Sequence, residues 1–398
     1  MEYSYRTKIN VLFIVLILFV FAALGTATNA PRRKLTKKYK GPCMAVNSID
    51  KCWRCDPFWA EDRQKMADCA LGFGINAMGG KYGPYYIVTD NSDDDVIDPK
   101  PGTLRFGVIQ KGPLWITFAK SMRIELSREL IVSSNKTIDG RGKYVHIANG
   151  AGIKIQSASN VIISNLRIHH IVPTAGGLLR ESDDHLGLRG GDEGDAISIF
   201  NSHDIWIDHI SMSRAADGLI DAVAGSTNIT ISNCHFTDHE KVMLFGANDH
   251  SVEDRGMKIT LAYNHFGKRL DQRMPRCRFG FFHLVNNDYT HWERYAIGGS
   301  SGATIISQGN RFIAEDKLLV KEVTYREKST SSVEEWMKWT WISDGDDLEN
   351  GATFTPSGDQ NLLSKIDHLN LIQPEPSSKV GLLTKFSGAL SCNIRRPC

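Results

Sequence analysis

The sequence predicts an all-β chain: a right-handed, single-stranded parallel β-helix with an N-terminal capping helix and an irregular C-terminal tail. Two observations predict it. Short β-branched runs recur between about residues 105 and 315: NVIISNLRI (160–168), DIWIDHISM (204–212), NITISNCHF (228–236), KITLAYNHF (258–266), FFHLVNNDY (281–289) and TIISQGNRF (304–312). Their last residues, Ile168, Met212, Phe236, Phe266, Tyr289 and Phe312, fall 44, 24, 30, 23 and 23 residues apart, the first gap reading as about two periods. Self-similarity at roughly 20–50 residues marks a solenoid or array. The second observation is local. Each run alternates as a strand does and then meets Asn, Gly or Asp, with no helix-length periodic segment. That excludes α-solenoids and leucine-rich repeats, and leaves a β-sandwich of regular strand spacing as the alternative.

The elements follow in order. Residues 1–30 read as a secretory signal cleaved at about 25–30. Arg6 and Lys8 precede an uncharged run over residues 11–24, and small residues follow at 25–30. The run is shorter than the roughly 17–25 residues that span a bilayer, so a retained anchor is the lesser reading. The chain is expected to be secreted, with no membrane partner once the signal is removed. Residues 31–104 form an N-terminal segment in which DPFWAEDRQKMADCALGF (56–73) reads as an amphipathic helix. Trp59, Met66, Ala67 and Ala70 share one side, suited to covering the open end of a solenoid. Residues 105–315 are the β-helix core. Within it, VPTAGGLLRESDDHLGLRGGDEGD (172–195) reads as a long loop of the kind that carries function. Residues 316–398 read as a tail packed on the coils.

Six of eight cysteines cluster at the two ends, as disulfide staples do in secreted chains. Cys52 with Cys69 and Cys392 with Cys398 are the expected pairs, although sequence leaves connectivity open. Asn135-Lys-Thr and Asn228-Ile-Thr are glycosylation acceptors. Charge is nearly balanced, 47 Lys and Arg against 45 Asp and Glu, which excludes the basic footprint of a nucleic-acid binder. A monomer is expected.

The chemistry gathers near the long loop. Glu193 and Asp195 stand in DEGDAISI, and Asp217 and Asp221 in ADGLIDA about one coil later. If extended, Asp217 and Asp221 share a face while Ile220 points into the core. Carboxylates without thiolates or imidazoles suit a hard cation, Ca²⁺ before Zn²⁺. The competing reading makes them turn formers and caps. One or two coils further come Lys241, in HEKVMLFG, and Arg273, Arg276 and Arg278, in DQRMPRCRFG. Guanidinium forks match carboxylate geometry, so stacked coils could offer a carboxylate polymer a cation on one side and arginines on the other. A solvated basic edge is the bland alternative. Residues 298–302 match G-x-S-x-G but read as a loop, without the strand–turn–helix that a nucleophile elbow needs. His235 with His239, and His169 with His170, lack a third ligand. Asp208 and His209 read as a structural pair bridging coils.

GDAISI, IWIDHISMS, ADGLIDAVAGSTNITISNCHFTDHEKVMLFG and QRMPRCRFGFFHLVNNDY together resemble the plant pectate lyases of polysaccharide lyase family 1, from about residue 50 to 398. The N-terminal Cys-Trp segment and SCNIRRPC resemble the pollen-expressed, late-anther type, the group that includes ragweed-type pollen allergens. The resemblance implies a right-handed parallel β-helix acting in the plant cell wall. It implies Ca²⁺-dependent cleavage of the (1→4)-α-D-galacturonan of de-esterified homogalacturonan by β-elimination. It places calcium at Asp195, Asp217 and Asp221, catalysis at Arg273, and substrate binding at Lys241 and Arg278, with Arg276 beside them. Glu193 departs from the family's usual Asp, though its longer carboxylate still reaches a flexible calcium shell. Some pollen relatives lack the lysine, and its presence here argues for activity. As base, Arg273 must be neutral; lowering its pKa from the ordinary guanidinium range to about 9 costs roughly 5–6 kcal/mol, so an alkaline optimum is expected. Three competing functions remain: a metal-free pectin lyase on methylated polymer, a galacturonan hydrolase with paired carboxylates, and a catalytically silent pectin-binding wall protein.

Overall fold

The computed structural model describes residues 41–317, 320–327, 331–366 and 370–398; the expected signal at 1–30 lies outside them. Among the described residues, three parallel sheets of ten, eight and nine strands run the length of the chain. Each coil gives one strand to each sheet. Ile153–Gln156 belongs to the eight-stranded sheet, Ser159–Ser164 to the ten-stranded sheet and Arg167–His169 to the nine-stranded sheet, and the pattern then repeats. The chain is a right-handed parallel β-helix.

Each repeated run in the sequence is therefore two strands with a bend between them. The bend residue adopts left-handed backbone: φ is 60° at Asn165, 52° at Asn233 and 50° at Asn286. Asn tolerates this region better than most side chains, which explains the recurring Asn. The repeat register holds. Ile168, Met212, Phe236, Phe266, Tyr289 and Phe312 pair in succession across neighbouring strands. The rings of Phe236, Phe266, Tyr289 and Phe312 stack inside the coil at 5.2, 4.5 and 4.5 Å. Each such pair adds about 0.5–1.5 kcal/mol beyond burial. A buried amide ladder runs alongside. Asn264 donates to Asn287 Oδ1 at 2.9 Å and Asn287 to Asn310 Oδ1 at 3.0 Å, while Asp346 accepts from the Asn310 backbone at 2.8 Å.

Four expectations need correction. The 44-residue gap is one coil, not two, because Met212 pairs directly with Ile168. Its surplus length is the long loop, which folds into an antiparallel hairpin of Gly177–Ser182 and His185–Arg189. Residues 56–73 do not form an amphipathic α-helix. They make turns and a 3₁₀ segment, Arg63–Cys69, and the α-helix is Ser48–Trp53, N-capped by Asn47. The reason is docking. Trp59, Met66, Ala67 and Ala70 are buried as expected, but they pack with Trp115, Ile162, Trp206 and Tyr263 on the outside of the ten-stranded sheet. There the Phe73 and Gly74 N–H groups donate to the Thr260 and Thr230 hydroxyls, bonds a helix would spend internally. A Cβ at Gly74 would lie 2.6 Å from the Ile205 carbonyl oxygen, so only glycine permits this approach.

The end of the solenoid is closed instead by Leu104–Ile109, N-capped by Thr103, which buries Leu104, Val108 and Ile109 in the main core. The β-helix also runs one coil past residue 315, through Thr324–Arg326, Trp341–Asp344 and Asp347–Glu349. The tail proper then returns along the outer flank, where Asn165 holds Leu390 and His209 meets Gly388. Finally, the G-x-S-x-G stretch is only partly a loop: its first three residues end the strand Ile297–Ser300, and Ser301 and Gly302 form a turn. Cys52–Cys69 and Cys392–Cys398 are bonded as expected, Cys43 pairs with Cys55, and Cys234 and Cys277 are buried and free.

Candidate active site

The outer face of the eight-stranded sheet carries the site. Strand alternation puts Ile220 and Ala222 in the core and Asp221 outside. Parallel register then fixes what stands beside Asp221: Ser198 and Lys154 on one side, Leu244 and Arg276 on the other. Asp195 and Asp217 lie in the turns leading into their strands. The Gly218 N–H donates to Asp195 Oδ1 at 2.8 Å, and the Leu244 N–H to Asp221 Oδ1 at 3.1 Å. A Cβ on Gly218 would fall 2.3 Å from Asp221 Oδ1, so the glycine makes room for the carboxylate.

These groups, with Glu193 and the end of the long loop, line a cleft of about 400 Å³. The carboxylates are short of positive charge. Burial, then the negative charges of Asp217 and Glu193, push Asp195 up to about 6. Burial, then Asp195 and Asp217, push Asp221 well above the carboxylate range. Among the described residues no three metal-binding side chains converge tightly enough to enclose an ion by themselves. The donor set is all oxygen and partial, which fits a hard cation whose remaining ligands are water or a substrate carboxylate.

The cationic set faces the same side. Lys241 sits on His239–Lys241, paired with Leu270–Gln272, and its Nζ lies 3.2 Å from Asp217 Oδ1. Arg273 follows that partner strand with φ 65°, its carbonyl accepting from the Met243 N–H at 2.8 Å. Its guanidinium is close enough to Asp221 to favour the ionised carboxylate. After the turn at Met274–Pro275, Arg276 and Arg278 point outward from one strand while Cys277 points into the core. Arg276 reaches Glu327 at 3.5 Å. Arg278 is held by Asp249 at 3.2 Å and by the Gly246 carbonyl at 2.9 Å. Burial first, then Arg276, holds Arg278 below the usual guanidinium range.

Sequence reasoning missed Lys154, Glu129 and Arg189. Lys154 pairs with Glu129 at 2.9 Å, and Arg189 from the hairpin reaches Glu129 at 3.4 Å and Gln156 at 2.6 Å. The signal was present: IKIQ (153–156) alternates, and Lys154 is its outward residue. Reading the 44-residue gap as two periods concealed the coil to which it belongs. His235, His169 and His170 engage neighbouring rings. His235 stacks on His265 at 4.7 Å, and His169 bonds to both His146 and His170. Asp208 accepts from Ser232 and Asn233 on the next coil, while His209 ties Asp50 to Gly388. The sequon amides are engaged: Asn135 accepts from Asn160 at 2.8 Å, and Asn228 donates to Asp204 at 3.2 Å.

Comparison with known proteins gives a concordant picture. A family profile described as pectate lyase matches residues 119–334. The chain is 96% identical over 398 residues to a probable pectate lyase of Solanum lycopersicum, covering 100% of both. It is 84% identical over 395 residues to a pectate lyase of Nicotiana tabacum, covering 99% of each. It is also similar to the crystal structure of the major allergen from cedar pollen: TM-score 0.84, 43% identity, covering 87% of this chain and 100% of that one.

Proposed function

This chain belongs to the pectate lyase family, and on that premise we propose that it cleaves de-esterified homogalacturonan by calcium-dependent β-elimination in the plant cell wall, as a secreted monomer. That it is a polysaccharide lyase follows from the family. Calcium, the site residues and secretion are the proposed part.

One observation carries the assignment: Asp221 and Arg276 stand on one rung of one outer face, and the charge of Arg273 reaches the Asp221 carboxylate. Asp195, Asp217 and Asp221 would hold Ca²⁺, with Glu193 at the rim. When bound, the ion neutralises the uronate C6 carboxylate and stabilises the enolate-like charge that develops beside it. Lys241, released from Asp217, and Arg278 hold further substrate carboxylates, and Arg276 flanks them. Arg273 takes the proton from C5. The C5–H electron pair becomes the C4–C5 double bond, and the glycosidic oxygen leaves C4 and is protonated by water. Arg273 accepts that proton only as neutral guanidine.

The test is incubation with polygalacturonate, with calcium or with EDTA, read by ultraviolet absorbance of the unsaturated product. Absorbance should rise only with calcium. Activity on methylated pectin that survives EDTA would favour a pectin lyase. Reducing ends without absorbance would favour a hydrolase, and binding without either would favour a silent wall protein. Glycans on Asn135 and Asn228 belong to the same secretory proposal. Among the described residues no helix is long and apolar enough to cross a membrane.

A further inference from the structure

Beside Arg273 lies a group of buried polar atoms that the mechanism above does not use. Tyr295 is 3% exposed, and its ring stacks on Tyr325 with centroids 4.7 Å apart. Gly298 shapes the slot: a Cβ there would lie 2.4 Å from the Tyr295 ring. Both flanks of Tyr295 are anchored. Arg294 is bound to Asp271 and Glu240, and the Ala296 carbonyl accepts from the Met274 N–H at 2.7 Å, one residue from Arg273. The Tyr295 hydroxyl is a polar neighbour of both the Arg276 and Arg273 guanidiniums, yet it aligns into a full hydrogen bond with neither. Among the described residues, Arg273 Nε and Arg276 Nε are likewise buried without a partner. Buried polar atoms in folded proteins are overwhelmingly satisfied, so three such atoms in one small volume mark a functional arrangement.

We infer that Tyr295 is a positioning residue that orients the Arg273 guanidine through its hydroxyl; this rests on the assignment of Arg273 as base. The chemistry suits the task. A phenol carries one proton and lone pairs, so it accepts from an N–H of charged Arg273 and donates to the bare nitrogen of the neutral form. A carboxylate in that place would serve only the charged form and lock the base off. Tyr295 therefore fixes the guanidine plane in both protonation states without adding charge.

The test is Tyr295→Phe, which retains the ring, its stack on Tyr325 and the Gly298 slot. Turnover of polygalacturonate should fall about tenfold, the size of a lost orienting contact at a reacting group, with KM within about twofold. The unfolding temperature should match the parent. Unchanged kcat would overturn the inference, as would a loss that appears in KM or tracks a fall in unfolding temperature. Arg273→Ala is measured alongside. If it retains turnover, the base assignment fails and takes this inference with it. If it is inactive while Tyr295→Phe is fully active, only the role of Tyr295 falls.

Discussion

Replacing Asn287 by leucine should destabilise the enzyme without touching its chemistry. The Asn287 side chain accepts from the Asn264 backbone N–H at 3.0 Å and from the Asn264 amide at 2.9 Å, and donates to the Leu261 carbonyl and to Asn310. Leucine is nearly the same size but leaves the two Asn264 donors buried and unpaired. Each orphaned donor costs about 1–3 kcal/mol, together about 2–6 kcal/mol. Extra apolar burial returns about 1–2 kcal/mol, so the mid-range values leave a net loss of about 2.5 kcal/mol. Unfolding entropy for a unit the length of Gly41–Cys398 is about 0.7 kcal/mol per degree, so the midpoint should fall by about 3–4 °C. Differential scanning calorimetry on the two proteins reads this directly. Turnover per folded molecule at 25 °C should be unchanged, because the ladder lies at the corner between the other two sheets. An unfolding temperature equal to or above the parent's would refute the claim that the ladder holds the coils together.

Further outcomes follow from the same geometry. Arg273→Lys keeps the charge but loses the fork, so kcat should fall by about 100-fold or more while polygalacturonate is still retained in a binding assay; full turnover would remove Arg273 from the chemistry. Asp221→Asn retains an oxygen for the Leu244 N–H but removes a ligand charge. The calcium concentration giving half-maximal activity should rise about tenfold or more, and an unchanged requirement would count against the site. Acid should weaken the fold through His283, which is wholly buried and held down to about 4 by burial, against some support from Gln308. The unfolded chain takes up this proton below about 6.5 and the folded chain only below about 4. The contribution, about 3 kcal/mol, is therefore full above pH 6.5 and lost as pH falls toward 4. Melting curves of His283→Gln should depend less steeply on pH over that interval; parallel curves would exclude His283.

Much of this was legible because a solenoid converts sequence spacing into spatial neighbourhood. Six residues picked from the ends of β-branched runs are successive members of one stack, and the four carboxylates chosen by spacing line one cleft on the face from which Arg276 and Arg278 also point. The errors share a cause as well. Insertions hide a period: the hairpin between Ile168 and Met212 looked like a missing coil, and the residues around Val333–Trp336 disguised the last coil as a tail. The segment at 56–73 misled for a different reason. An apolar stripe reports that a face is buried, not against what, and here the ten-stranded sheet outside the coil supplied the partner. Lys154 was lost with the misread period. Tyr295 could not be found from sequence, because its significance lies in the absence of partners around its hydroxyl.

The proposed catalysis depends on the aspartates and the guanidiniums closing on one substrate carboxylate from opposite sides. A crystal structure of the Arg273→Lys enzyme soaked with calcium and an oligogalacturonate tests this most directly. The expected result is an ion among Asp195, Asp217 and Asp221 that touches a uronate carboxylate, with C5 of that sugar facing Lys at position 273. A saccharide bound on another face, or an ion held away from those aspartates, would contradict it.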